Sequence, residues 1–236
     1  MKKIINLSLI DFKLIFRDPS LRTFLVFPLI LLSLIIWGLP PLLEKYNFLL
    51  TYLPIFLVVA IIENTQMFTF ISTMVLIDEK ETEVAKVYGI LPFTKLHYLV
   101  SRFLIPYLFT AAINIILLLI QPYYAISILN NLIISFLTAL IVPVYVLAIN
   151  SIVKNRLQGM VYIKAFNMLV LIPIAAFFVP DRIKHVFGIF PTHWIFQTIV
   201  NVTNNVSIGA ISIIGFLYLF VLLFIVSRQF IRKHFV

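Results

Sequence analysis

Cysteine is absent from this chain of 236 residues, and glycine occurs only six times. The first absence removes any disulfide framework and any thiolate metal site. The second goes with the lack of a Gly-x-x-x-x-Gly-Lys-Ser/Thr loop to cradle phosphates, so hydrolysis of ATP in the P-loop manner is excluded. His-Glu-x-x-His and Gly-x-Ser-x-Gly are missing too. The four histidines, His97, His185, His193 and His234, are scattered, and no cofactor or metal is expected on this chain. Charge is also scarce. Asp, Glu, Lys and Arg make up 11% of residues, where a soluble domain carries about a quarter. A cleavable signal peptide is not expected, because Lys2, Lys3, Asp11, Lys13, Arg17 and Asp18 are spread through the first turns and no small-residue cleavage site follows.

What the chain has instead is apolar surface. Hydrophobic residues account for 62% of it and the mean hydropathy is +1.11. A water-soluble fold of this size cannot hide so much apolar area, so the bilayer must be the solvent. Apolar runs at about 21–40, 52–77, 98–120, 128–153, 160–179 and 207–227 are each long enough to cross a hydrocarbon core about 30 Å thick. Pro40-Pro41, Gln121-Pro122-Tyr123 and Lys154-Asn155-Arg156 punctuate them. The expected fold is an all-α integral membrane protein with six transmembrane helices in a single domain, 1–236.

The net charge of +9 does not point to nucleic acid, because the cations lie between apolar runs and not along one hydrophilic face. Their distribution gives an orientation. With both termini in the cytoplasm, the cytoplasmic segments hold every one of the 18 Lys and Arg except Lys45, Arg182 and Lys184. Every loop obeys the positive-inside rule. A bacterial inner membrane with both ends cytoplasmic is therefore expected.

Three segments outside the spans carry further signals. Residues 2–18 read as an amphipathic helix lying in the headgroup plane, with Lys2, Asn6, Lys13 and Arg17 on one face and Ile4, Ile5, Leu9, Phe12, Ile15 and Phe16 opposite. Asp18-Pro19 ends it. Residues 78–92 form the main cytoplasmic loop. There Val84, Val87, Tyr88 and Leu91 share one helical face, while Glu79 and Glu83 share another with Lys86. Asp78, Glu79, Glu81 and Glu83 crowd four acidic residues into six positions. Such a helix suits docking into a partner protein, or else rests its apolar face on the membrane. Residues 180–206, broken by Pro180-Asp181-Arg182 and Pro191-Thr192-His193-Trp194, read as extracellular re-entrant or interfacial helices too short to span. They are placed to form an outer gate near His193 and Trp194, or a simple cap.

One span is polar at depth. Glu63, Asn64, Thr65, Gln66 and Thr69 sit among Ile, Val, Phe and Met. A mid-membrane carboxyl usually faces protein or a wet cavity. Glu63, Asn64 and Gln66 are thus candidates for a substrate path, and equally for interhelical or dimer-seam hydrogen bonds. Asn114 and Asn167, single polar residues in other spans, read as structural.

The N-terminal helix ending in Phe-Arg-Asp-Pro (16–19), the six spans, the acidic loop helix and the outer helical segment together resemble ABC type-2 transporter permeases. The specific part is Asp78-Glu79-Lys80-Glu81, followed by Leu91-Pro92-Phe93-Thr94 and Tyr98-Leu99-Val100-Ser101-Arg102. Thr82-Glu83-Val84-Ala85 stands where the family commonly has Gly-Thr. The resemblance implies that 78–92 is a coupling helix seated in a separate ABC ATP-binding subunit, which would hold ATP and magnesium. It also implies a second permease chain, identical or paralogous. Exporters of this kind move drugs, peptides or lipid-like molecules, and the apolar spans favour a hydrophobic or amphipathic cargo. Two other readings remain: an ion- or proton-coupled carrier titrating at Glu63, for which no internal repeat is visible, and a non-transporting membrane scaffold or sensor.

Overall fold

In a computed structural model of the protein, residues 19–82 and 94–234 are described. The expected interfacial helix at 2–18 and most of the loop helix, including Glu83, Val84, Val87, Tyr88 and Leu91, lie outside them. Among the described residues the chain is helical throughout, with no strand. The helices are α1 (Pro19–Phe24), α2 (Phe27–Ser33), α3 (Leu39–Lys45), α4 (Leu53–Glu81), α5 (Lys95–Ile120), α6 (Ile128–Ala139), α7 (Ile141–Asn150), α8 (Arg156–Leu171), α9 (Asp181–Lys184), α10 (Pro191–Thr203) and α11 (Gly209–His234). Six candidate membrane spans result: Leu21–Lys45, Asn47–Glu81, Lys95–Ile120, Ile128–Asn150, Arg156–Phe177 and Gly209–Lys233. They alternate in direction. The end of α4, the start of α5, the turn at 151–155 and the end of α11 share one end of the bundle, the basal end. The segments at 46, 121–127 and 178–208 share the distal end.

The fourth span, α6 and α7, is the axis of the molecule. Its most apolar stretch is 78% buried, against 17% for the first and sixth spans. Helix α4 packs along α7 and also meets α5 and α8, while α11 closes the other side of α7. The distal core collects Leu57, Ile61, Leu117, Leu137, Phe196 and Leu219. Two smaller clusters fill the basal half. One gathers Phe68, Leu76, Tyr98, Phe103 and Phe230 around α5 and α11. The other gathers Leu21, Met74, Ile77, Val153 and Ile163 around α4 and α8.

Two spans break where proline removes a donor, whereas α5 carries Pro106 without a break. Pro40 has no N–H for the carbonyl of Ile36. The ladder slips to a π turn at Leu34–Gly38, in which Leu39 N–H reaches Leu34 O. That slip frees the carbonyl of Ile35, and Tyr123 Oη donates to it at 2.9 Å. The fourth span repeats the pattern. Pro143 interrupts it just after Leu140, the Leu140 N–H turns to Thr138 O, and Tyr107 Oη donates to the released Phe136 O at 3.4 Å. A broken ladder survives at membrane depth only where protein re-satisfies it. Buried hydroxyls are handled more locally. Thr65, Thr69, Thr110, Thr138 and Ser212 each donate to the carbonyl four residues back on their own helix.

The segment expected to hold short outer helices contains α9, a 3-10 turn at His185–Ile189, and α10. At 13 residues α10 is about 20 Å long, too short to cross. It does not lie flat on the surface. Thr192, His193, Ile195, Phe196, Thr198 and Ile199 are buried against α6, α4 and α11. A Schellman motif ends it: Val206 N–H bonds Asn201 O, Asn205 N–H bonds Val202 O, and Asn205 takes the left-handed conformation at φ 58°. Gly215 on α11 lets Trp194 approach, since a Cβ there would stand 3.0 Å from Trp194 Cβ.

Replacing Tyr123 by phenylalanine should lower stability by about 1–2 kcal/mol, because the Ile35 carbonyl loses its donor. Tyr107→Phe should cost less, its bond being longer. Thermal unfolding of the purified chain in detergent checks the order, and an unchanged Tyr123→Phe midpoint would contradict it.

Candidate functional site

At the basal end the acidic run 78–81 is engaged within the chain. Glu79, expected on an outward acidic face, is 7% exposed. Its Oε1 lies 2.7 Å from an Arg102 guanidinium nitrogen, and Tyr98 Oη donates to Oε2 at 2.9 Å. Tyr98 and Arg102 sit four residues apart on α5, so one helical face presents both. The guanidinium also lies over the Tyr98 ring, 5.2 Å from its centre. This places a buried ion pair between the last turn of α4 and the first turns of α5. These are the two helices from which the 82–94 connection departs. Thr94 starts α5 by accepting the His97 N–H on its side chain.

The other residues of the run bind the neighbouring turn. Arg156 Nε stands 3.4 Å from Asp78, and Arg156 N–H donates to Glu81 Oε1 at 2.7 Å. Glu81 thereby caps the N-terminus of α8, where negative charge is favoured. Asn155 and Gln158 complete that cap reciprocally, accepting from Gln158 N and Lys154 N. Lys80 Nζ donates to the carbonyls of Asn150 and Val153, and Lys233 Nζ to that of Ser151 at 3.1 Å. Two lysines from α4 and α11 thus hold the carbonyl end of the fourth span. Lys80, Tyr98, Arg102, Arg156 and Lys233 were not singled out as site residues. The available signal was the meeting of charge with span ends, together with the four-residue spacing of Tyr98 and Arg102.

At mid-depth the polar residues of α4 separate. Asn64 is fully buried and donates to Asn114 Oδ1 at 2.6 Å, and Asn114 donates to Thr65 Oγ1 at 3.1 Å. Those three lock α4 to α5. Gln66 is buried as well, and its amide has no hydrogen-bond partner among the described residues. Glu63 is half-buried and has no hydrogen bond or ion pair among the described residues. The structure therefore does not gather Glu63, Asn64 and Gln66 into one cluster: Asn64 is taken up by Asn114, and Gln66 is buried where Glu63 stays half-open. A separate cleft of about 260 Å³ opens between α5, α7 and α11, lined by Leu99, Phe103, Tyr107, Pro143, Leu147 and Leu223. It is apolar and offers little to orient a ligand.

At the distal end His193 is 1% exposed, edge-on to the Trp194 ring, and its Nδ1 has no hydrogen-bond partner among the described residues. Burial, with a smaller contribution from His185, pushes the imidazole from its ordinary 6.5 down to about 4. His193 and Trp194 do lie together. On α10 they face the 3-10 turn at His185–Ile189 and α11, where Trp194 meets Gly188 and Tyr218. Among the described residues no three His, Asp or Glu side chains converge as metal ligands would. What the site offers chemically is linkage of helices at both ends and one unpaired carboxyl between them.

A family model described as fluoroquinolones export permease protein Rv2686c-like matches residues 11–227. No curated protein and no solved structure matches the chain.

Two outcomes follow from this geometry. Glu79→Ala and Arg102→Ala should each destabilise by about 3–5 kcal/mol, since each leaves a buried charge alone, while the double variant should cost much less than the sum. A double-mutant cycle on unfolding midpoints tests this, and additivity would refute the pair. His193 binds its proton in the unfolded chain below about 6.5 but in the folded chain only near 4. Stability should therefore fall as pH drops from 6.5 towards 4. His193→Gln should flatten that stretch of the midpoint-against-pH curve.

Proposed function

The chain belongs to the Rv2686c-like family of export permeases, and from that membership we propose that it is the membrane subunit of an ATP-driven ABC exporter for an amphipathic drug of the fluoroquinolone class. Its ATPase is a separate protein carrying ATP and magnesium, joined to this chain at the 78–92 segment. A second permease chain, identical or paralogous, completes the pathway. The basal end faces the cytoplasm of a bacterial inner membrane, in keeping with the distribution of Lys and Arg.

The observation that carries the coupling reading is the buried Glu79–Arg102–Tyr98 junction between the last turn of α4 and the first turns of α5. A docking helix is useful only if its displacement reaches the spans. Here both helices that leave the connection are cross-linked where they enter the bundle, so a push on the loop moves α4 and α5 together. Lys80 extends the linkage to the end of α7, and Glu81 extends it to α8. In this reading Asp78, Glu79 and Glu81 transmit the motion, and Val84, Val87, Tyr88 and Leu91 with Glu83 supply the contact. The distal helix with His193 and Trp194 closes the far end and serves as the outer gate.

Co-expression with candidate ATP-binding cassette proteins of the same organism should give, with one of them, a complex that survives purification. Tyr88→Asp should abolish capture of the ATPase while the chain keeps its unfolding midpoint. Export driven by ATP in vesicles should be lost with it. If the native chain retains no ATPase under conditions in which another permease retains its own, the proposal fails.

A further inference from the structure

Between Leu57 and Ile77, α4 is buried at every position but five: Val59, Glu63, Met67, Phe70 and Val75. Four of these, spaced four, four and three apart, form one stripe along the helix. Phe56 continues it towards the distal end. Glu63 sits within a residue of the midpoint of the span Asn47–Glu81. It is half-open to the outside of the bundle and has no hydrogen bond or ion pair among the described residues. The neighbouring polar groups are used differently: Asn64, Thr65 and Asn114 satisfy one another inside the α4–α5 contact, and Gln66 is buried with no partner among the described residues. Packing between helices thus absorbs the asparagines and leaves the carboxyl.

A carboxyl at that depth must meet something polar, because lipid offers it nothing. The chain's own cations are badly placed to serve. On two of the helices packed against α4 the cations are Arg22 on α1, two residues before the Phe24 that meets Phe70, and Lys164 on α8. Helix α8 runs antiparallel to α4, with Gly159 against Ile77 and Met74. That register puts Lys164 about two turns nearer the basal end than Glu63. A lysine stem there extends towards the headgroups, away from Glu63. What flanks Glu63 is apolar and deformable. Val59, Met67 and Phe70 line the stripe, and the Phe24 ring lies 4.5 Å from that of Phe70. Methionine and aromatic rings accept varied apolar shapes and favour a cation nearby.

We propose that Glu63 recognises the cargo, receiving a protonated amine of an amphipathic molecule whose apolar body lies along Val59, Met67 and Phe70. The proposal rests on the exporter reading above and names the chemical feature that the pathway selects. It makes Glu63 a specificity residue: charge on the cargo, not bulk, decides passage at mid-depth.

The test uses the assembled exporter in proteoliposomes with two probes, a fluorescent fluoroquinolone bearing a free secondary amine and the same molecule N-acetylated. In Glu63→Gln, ATP-driven transport and equilibrium binding of the free-amine probe should fall by about tenfold or more. The acetylated probe should be moved at a rate within about twofold of the native exporter. Glu63→Asp should restore part of the loss, and the size and ATPase content of the complex should not change. Equal loss of both probes, or loss of neither, overturns the proposal. So does a variant that no longer assembles, which would make Glu63 a seam between permease chains. If the native exporter moves neither probe with ATP, the exporter reading falls first.

Discussion

Hydrocarbon supplies no hydrogen bonds, and that constraint organises this molecule more than any single contact does. Each irregularity in the backbone sits where another part of the chain can answer it. The π turn before Pro40-Pro41 releases the Ile35 carbonyl, and Tyr123 reaches it from the turn between the third and fourth spans. The interruption at Leu140 lies in the span that protein covers most completely. Hydroxyls fold back on their own helices and ask nothing of their neighbours. The polar side chains that do reach between helices are then few, and each has a place that can be read.

Charge follows the same rule at the ends of the spans. At the end of the second span, four consecutive charged residues reach three neighbours: Asp78 and Glu81 both meet Arg156 at the start of α8, Glu79 meets Arg102 on α5, and Lys80 meets the end of α7. An acidic run that looks like a surface feature is in fact the knot that ties four helices at the basal end. The buried pair inside it is held by geometry and not by a favourable overall balance, since taking two charges out of water costs nearly what their attraction returns. Its value lies in fixing how α4 and α5 leave the membrane together.

Much of the architecture could be read from the sequence because membrane spans are long, apolar and bounded by proline and charge. The six spans stand where the apolar runs place them, shifted by a few residues and lengthened most at the second. The short helices between the fifth and sixth spans are also present, though α10 is tucked inward along α6 and α11. The pairings were not legible. Glu79 and Arg102 are separated by a loop, and Lys80 meets Asn150 across 70 residues of chain. No local period encodes such contacts. The division of labour between Glu63 and Asn64 was equally hidden. The two are adjacent in sequence, and in a helix that is apolar on nearly every side nothing in the pattern reveals which direction faces the bundle. Burial resolves it, by leaving one stripe open.

The lysines at the end of the fourth span join two stages in the life of the chain. Lys80 and Lys233 belong to the cationic flanks that govern which way a nascent helix threads into the bilayer. Once the bundle closes, the same ammonium groups cap the carbonyls of Asn150, Ser151 and Val153. Topogenesis and final stability therefore draw on one set of residues. Relocating these charges to invert the insertion would also uncap the central span, so an inverted chain would lose the native bundle along with its sidedness. Orientation in this protein is protected by its own folded state.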